Sequence, residues 1–107
     1  MTLSTHVLDT TRGEPAAGLR VRLERAGATV ARGTTDADGR LRDWVAESDW
    51  AAGGYRLVFD TAAYFAARGV PAFFPEVAVC FEVTEPGRHL HVPLLLSPFS
   101  YTTYRGS

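Results

Sequence analysis

The sequence contains no lysine: all eleven of its basic residues are arginines. Chemistry that needs a lysine amine, such as Schiff-base formation or the phosphate-cradling lysine of a P-loop, is thereby excluded. A single cysteine, Cys80, cannot close an internal disulfide. The opening Met1-Thr2-Leu3-Ser4-Thr5 lacks the charged start and apolar centre of a signal peptide, so a cytoplasmic location is expected. Eleven basic residues against twelve acidic leave a formal charge of −1, which offers no long-range field to nucleic acid or an anionic membrane. No apolar run approaches the ~18 residues that suggest a membrane span. Gly-x-Ser-x-Gly elbows, P-loops and dinucleotide fingerprints are absent as well.

What is present is the composition of an ordinary globular chain, 46% hydrophobic and 21% charged, whose 107 residues suit one domain. No repeat or linker divides residues 1–107. The clearest strand is Leu19-Arg-Val-Arg-Leu-Glu-Arg25, where strict alternation sends Leu19, Val21 and Leu23 to a core and Arg20, Arg22 and Glu24 to water. Thr29–Thr35 follows a short Ala26-Gly27-Ala28 turn as its hairpin partner, and Asp36-Ala-Asp-Gly39 turns the chain again. Leu3–Asp9, Tyr55–Asp60, Glu76–Val83, His89–Leu96 and Phe99–Tyr104 also carry strand patterns. Asp60–Gly69 is the one helical segment, with Asp60 as N-cap, alanines for propensity and Gly69 beyond its end. Seven or eight short strands with one small helix predict an all-β fold, an antiparallel β-sandwich of two about four-stranded sheets. Cys80, inside the apolar run Val77–Val83, is expected to be a buried structural thiol.

The candidate chemistry lies in the histidines. His89-x-His91 places two imidazoles on one strand face, and with His6 as a third they would suit a catalytic zinc, although no carboxylate or cysteine stands at a ligand spacing. Neutral imidazoles are equally suited to acid–base work at pH 7. Alternation groups His89 and His91 with Pro93 and Leu95, opposite the aliphatic face of Leu90, Val92, Leu94 and Leu96. That aliphatic face belongs to the core, so the histidines point out of the sandwich, toward solvent or another subunit. His6 shares its face with Ser4 and Leu8, against Leu3, Thr5 and Val7. Read alone, Arg40 is a solvated arginine after a turn, and Ser97, before Pro98, is structural.

Two stretches resemble the signatures of the transthyretin family: His6-Val-Leu-Asp9 followed by Gly13-Glu-Pro-Ala16, and His91-Val-Pro-Leu-Leu-Leu-Ser-Pro-Phe-Ser-Tyr101. The similarity spans essentially the whole chain, including Asp38-Gly-Arg-Leu41, Gly54-Tyr55 and the small helix. The family's hormone-carrying branch has lysine at the position of His6, glutamate at Arg40 and threonine at both His91 and Tyr104. The closing Tyr104-Arg-Gly-Ser107 instead is similar to the mark of its enzymatic branch, which opens the ring of 5-hydroxyisourate in urate degradation.

The resemblance implies a homotetramer with active sites at the dimer–dimer interface and no cofactor or metal. It also implies hydrolysis of 5-hydroxyisourate to 2-oxo-4-hydroxy-4-carboxy-5-ureidoimidazoline. The implied catalytic set is His6, Arg40, His91, Tyr104 and Ser107, with His6, Arg40 and Tyr104 binding substrate. Arg105 would anchor the tail by pairing with a carboxylate, and His89 would be a rim residue. The family usually has tyrosine where this chain has Leu90, a change expected to alter packing rather than chemistry. The alternative is a carrier of small ligands without turnover.

Overall fold

The computed structural model describes residues 2–107. Ten strands are found among them: β1 (Leu3–Asp9), β2 (Glu14–Pro15), β3 (Arg20–Arg25), β4 (Ala28–Thr34), β5 (Arg40–Leu41), β6 (Gly53–Phe59), β7 (Val77–Val83), β8 (Leu90–His91), β9 (Leu94–Leu96) and β10 (Tyr101–Thr103). One helix, α1 (Thr61–Ala66), lies between β6 and β7. The strands form a sandwich of two sheets. One has the order β4-β3-β6-β7; the other runs β10-β9-β1-β2, with β5 and β8 also paired to β1.

The alternation seen in the sequence is the reason the sheets close on each other. Leu19, Val21 and Leu23 are at most 3% exposed, and each contributes roughly 1.5–3 kcal/mol by leaving water. In β1 the buried face is Leu3, Thr5, Val7 and Asp9, two of them polar. Each polar member is satisfied: Thr5 Oγ1 donates to the Val92 carbonyl at 2.6 Å, and the Asp9 carboxylate accepts from Tyr64 Oη and the amides of Thr11 and Arg12. The helix begins as predicted, Asp60 accepting from the Ala63 amide at 3.2 Å, and the chain leaves it through Gly69 at φ +69°.

Several expectations need correction. Cys80 is exposed, because alternation along β7 turns Val77 and Val83 into the core and leaves Cys80 on the outer face of a sheet-edge strand. The stretch 89–96 is two strands, β8 and β9, because Pro93 has no amide to donate to a ladder. The final strand is shorter than Phe99–Tyr104. Both sheets are antiparallel except where β1 runs parallel to β8 and β9, pairing Ser4 with His91 and Val7 with Leu94. That parallel pairing brings the two ends of the chain side by side.

Candidate active site

The site is built on the outward face of β1. His6 sits opposite Arg40 of β5 in an antiparallel pair, and Ser4, two residues earlier on the same face, sits opposite His91 of β8. Two short strands, one on each side of β1, thus deliver Arg40 and His91 to the neighbourhood of His6. Arg40 gets there by a tight turn. Asp36 Oδ1 accepts from the amides of Asp38 and Arg40, both at 2.9 Å. Those bonds, with the arginines at 40 and 42, hold the Asp36 carboxyl below its usual range, the Arg40 amide having the largest effect. Gly39 closes the turn at φ +74°, with its carbonyl accepting from Val7 N at 2.8 Å; a Cβ there would stand 2.4 Å from the Val7 carbonyl oxygen, so only glycine fits.

Both imidazoles are held by one nitrogen. His6 Nε2 lies 2.9 Å from the Asp38 carbonyl oxygen, which can only accept, so Nε2 carries the proton and donates. His91 Nδ1 lies 2.7 Å from Ser4 Oγ. The His91 ring is half-buried and its pKa is depressed, first by desolvation and then by the positive charge of Arg40, with smaller contributions from His89 and His6. The Ser4 backbone pulls weakly the other way. The ring is therefore neutral at pH 7.

The chain's last residues dock on His91. Gly106 N donates to the His91 carbonyl at 2.8 Å, an isolated antiparallel bridge, and Thr103 Oγ1 donates to the Pro93 carbonyl at 2.8 Å. Tyr104 and Ser107 flank this bridge; Tyr104 is 57% exposed and Ser107 is also exposed. The expected carboxylate partner of Arg105 is not found among the described residues: the tail is held by backbone bonds and β10 instead. His89 is exposed.

A cleft of about 290 Å³ between β7 and the tail is lined by Cys80, Leu90, His91 and Tyr104 among others, but not by His6 or Arg40. Leu90 is half-buried and packs against the core. His6 and Arg40 instead lie on an open sheet face. No group of three His, Cys, Asp or Glu residues placed to hold a metal ion occurs among the described residues. The arrangement offers two imidazoles beside one guanidinium, a set that can move protons and bind an oxygen-rich anion.

Ser4, Gly106 and the Asp38 carbonyl were not picked out by sequence reasoning. The face shared by Ser4 and His6 was legible, but the parallel pairing that sets His91 against Ser4 has no local signal.

The model of the HIUase/Transthyretin family matches residues 3–106. The 5-hydroxyisourate hydrolase of Mus musculus is 47% identical over 111 residues, covering 98% of this chain and 94% of that protein. The solved structure of Klebsiella pneumoniae 5-hydroxyisourate hydrolase superimposes with a TM-score of 0.90 at 40% identity, each chain fully covered. Sea bream transthyretin in complex with thyroxine superimposes as well, with a TM-score of 0.91 at 36% identity over 99% of this chain and 95% of the other.

Proposed function

The chain belongs to the HIUase/Transthyretin family, and we propose that within it this protein is the enzyme of urate degradation that hydrolyses 5-hydroxyisourate. One observation carries the reading: His6, Arg40 and His91 converge on one face of β1. The fold does not decide between enzyme and carrier, since a thyroxine-bound transthyretin shares it. The residues favour the enzyme, because two imidazoles beside an arginine serve proton transfer.

The reaction opens the six-membered ring at a cyclic amide. Water adds its oxygen to the carbonyl carbon and gives up a proton; the carbon–nitrogen bond then breaks, and the departing nitrogen gains a proton. The product is 2-oxo-4-hydroxy-4-carboxy-5-ureidoimidazoline. In this reading His6 and His91 are the acid–base pair, and the planar fork of Arg40 binds the substrate's oxygens and counters charge developing on the carbonyl. In the same reading Tyr104 and Ser107 close the pocket beside His91, and Tyr104 hydrogen-bonds substrate.

The reading includes a homotetramer in which another subunit closes the open face. Its support is exposed apolar surface: Phe73 and Phe99 are each 70% exposed, more than a lone small domain gains from. The outer edges of β7 and β10 are also unpaired among the described residues. Light scattering on the purified protein tests the assembly.

The decisive experiment adds the protein to freshly generated 5-hydroxyisourate and follows the loss of its ultraviolet absorbance. Decay several-fold above the spontaneous rate is expected. A protein that binds the compound and leaves its decay unchanged would be a carrier.

A further inference from the structure

The pair of fixed nitrogens raises a question the reaction leaves open: which imidazole offers a lone pair and which offers a proton. Its answer turns on Ser4. This serine is 5% exposed, so its hydroxyl is shut away from water, and the one partner of its Oγ among the described residues is His91 Nδ1 at 2.7 Å. A buried hydroxyl that leaves its proton unbonded is destabilised by the lost solvation. The Ser4 carbonyl accepts from Val92 N at 3.0 Å, and His91 Nδ1 is the one group among the described residues within hydrogen-bond distance of the hydroxyl. Donation of the serine proton to Nδ1 is the arrangement that satisfies it.

We infer that Ser4 is a positioning residue that donates to His91 Nδ1 and so keeps the ring proton on Nε2. The inference rests on the hydrolase reading for its catalytic meaning, though not for its structural content. Gly106 covers the Cγ–Cδ2 edge of the same ring, where a Cβ would meet Cδ2 at 2.6 Å and Cγ at 3.2 Å. With Nδ1 bonded to Ser4 and that edge capped, the free edge is Cε1–Nε2, carrying an N–H. His6 is the same tautomer with the opposite atom free: its Nε2–H is spent on the Asp38 carbonyl, leaving the Nδ1 lone pair available.

The two histidines thus divide the work. His6 takes the proton from water, and His91 presents an N–H to the carbonyl oxygen or to the departing nitrogen. Only after the first transfer does a proton need to pass from one side of the substrate to the other, so the pair begins each turnover already in the required states. The arrangement depends on Ser4, because a lone imidazole would exchange between both tautomers.

The test uses the full-length protein labelled with nitrogen-15 in its histidine rings. In the wild type, His91 and His6 should each show a lone-pair signal at Nδ1 and a protonated signal at Nε2. Ser4→Ala should shift the His91 signals toward a tautomer mixture and lower kcat about tenfold, part of the roughly 10²–10⁴ that a positioned acid or base contributes, with KM within about twofold. Ser4→Thr, which keeps the hydroxyl, should restore both. Ser4→Cys keeps the shape with a weak donor and stands in if the alanine variant does not fold. An unchanged His91 tautomer in Ser4→Ala or Ser4→Cys overturns the inference, and so does a changed tautomer with undiminished kcat. If the wild type does not hydrolyse 5-hydroxyisourate at all, the functional reading fails by itself, and the ring signals alone decide the role of Ser4.

Discussion

Gly106 and His91 are in contact without room for a single carbon between them: any Cβ at residue 106 would overlap the imidazole at Cδ2. The contact makes the chain's tail part of the mould that shapes the ring. Gly106→Ala must therefore turn His91 or lift the tail. Since an ångström of misplacement costs about 10²-fold in rate, we expect kcat to fall by roughly that factor. The melting temperature should stay within a few degrees, because residues 104 to 107 contribute little buried surface. Activity retained at more than about half the wild-type value would show that the ring does not need the glycine.

The depressed pKa of His91 gives a second prediction, with a defined sign. The ring titrates below its ordinary 6.5 in the folded protein and at that value when unfolded. Below 6.5 the unfolded state binds more of this proton, so the histidine's contribution to stability is intact above 6.5 and is lost as pH falls through the folded value. Activity should fall along the same acidic limb. Arg40→Gln removes the charge that is the second cause of the depression, so the His91 midpoint, followed by proton NMR, should rise toward 6.5 in that variant. A midpoint unmoved or lower would show that Arg40 does not act on the ring.

Tyr64 offers a stability test remote from the chemistry. Its hydroxyl donates at 2.9 Å to Asp9 Oδ2 inside the sandwich, and burial followed by that bond pushes the phenol up to about 12. Because this value is raised, the associated stability is full below pH 10 and is lost as pH climbs through about 12. Tyr64→Phe leaves a buried carboxylate oxygen without a donor, and urea denaturation should show a loss of about 2 kcal/mol. A loss below about 0.5 kcal/mol would mean that water replaces the phenol.

The hairpin between β3 and β4 contains an improvable residue. Arg25 pairs with Ala28, and both residues between them are left-handed, Ala26 at φ 51° and Gly27 at φ 80°. This is the two-residue turn that favours Asn-Gly, and alanine is strained there by about 1 kcal/mol. Ala26→Asn should raise the melting temperature by several degrees without altering turnover. No gain would place the turn's strain elsewhere.

How much of this was legible before the structure depended on range. Alternation in β1 and β3 displayed the core, and Asp60 and Gly69 bracketed the helix, because those signals lie within a few residues. His6, Arg40 and His91 could be nominated by their chemistry and by family resemblance, and the structure brings them to one face. Cys80 was misplaced because an apolar run does not reveal that its strand lies at a sheet edge. The break at Pro93 was visible as a proline and overlooked as a missing donor. Ser4 was legible only as a residue on the face of His6 and Gly106 only as part of the closing Tyr104-Arg-Gly-Ser107; their contacts with His91 were not, since each is made with a neighbour distant in the chain.

The parallel joining of β1 to β8 has a consequence in time. Ser4 and His91 lie 87 positions apart, so a ribosome adding about 5–20 residues per second makes one several seconds before the other. During that interval β1 has β2 and β5 but no β8 or β9 to pair with, and the inward hydroxyl of Thr5 lacks its acceptor at Val92. Closing so long a loop is slow relative to forming the local β3–β4 hairpin. β1 is therefore the strand whose pairing is completed last, and one of its sides stays open to mispairing until β8 and β9 have been made.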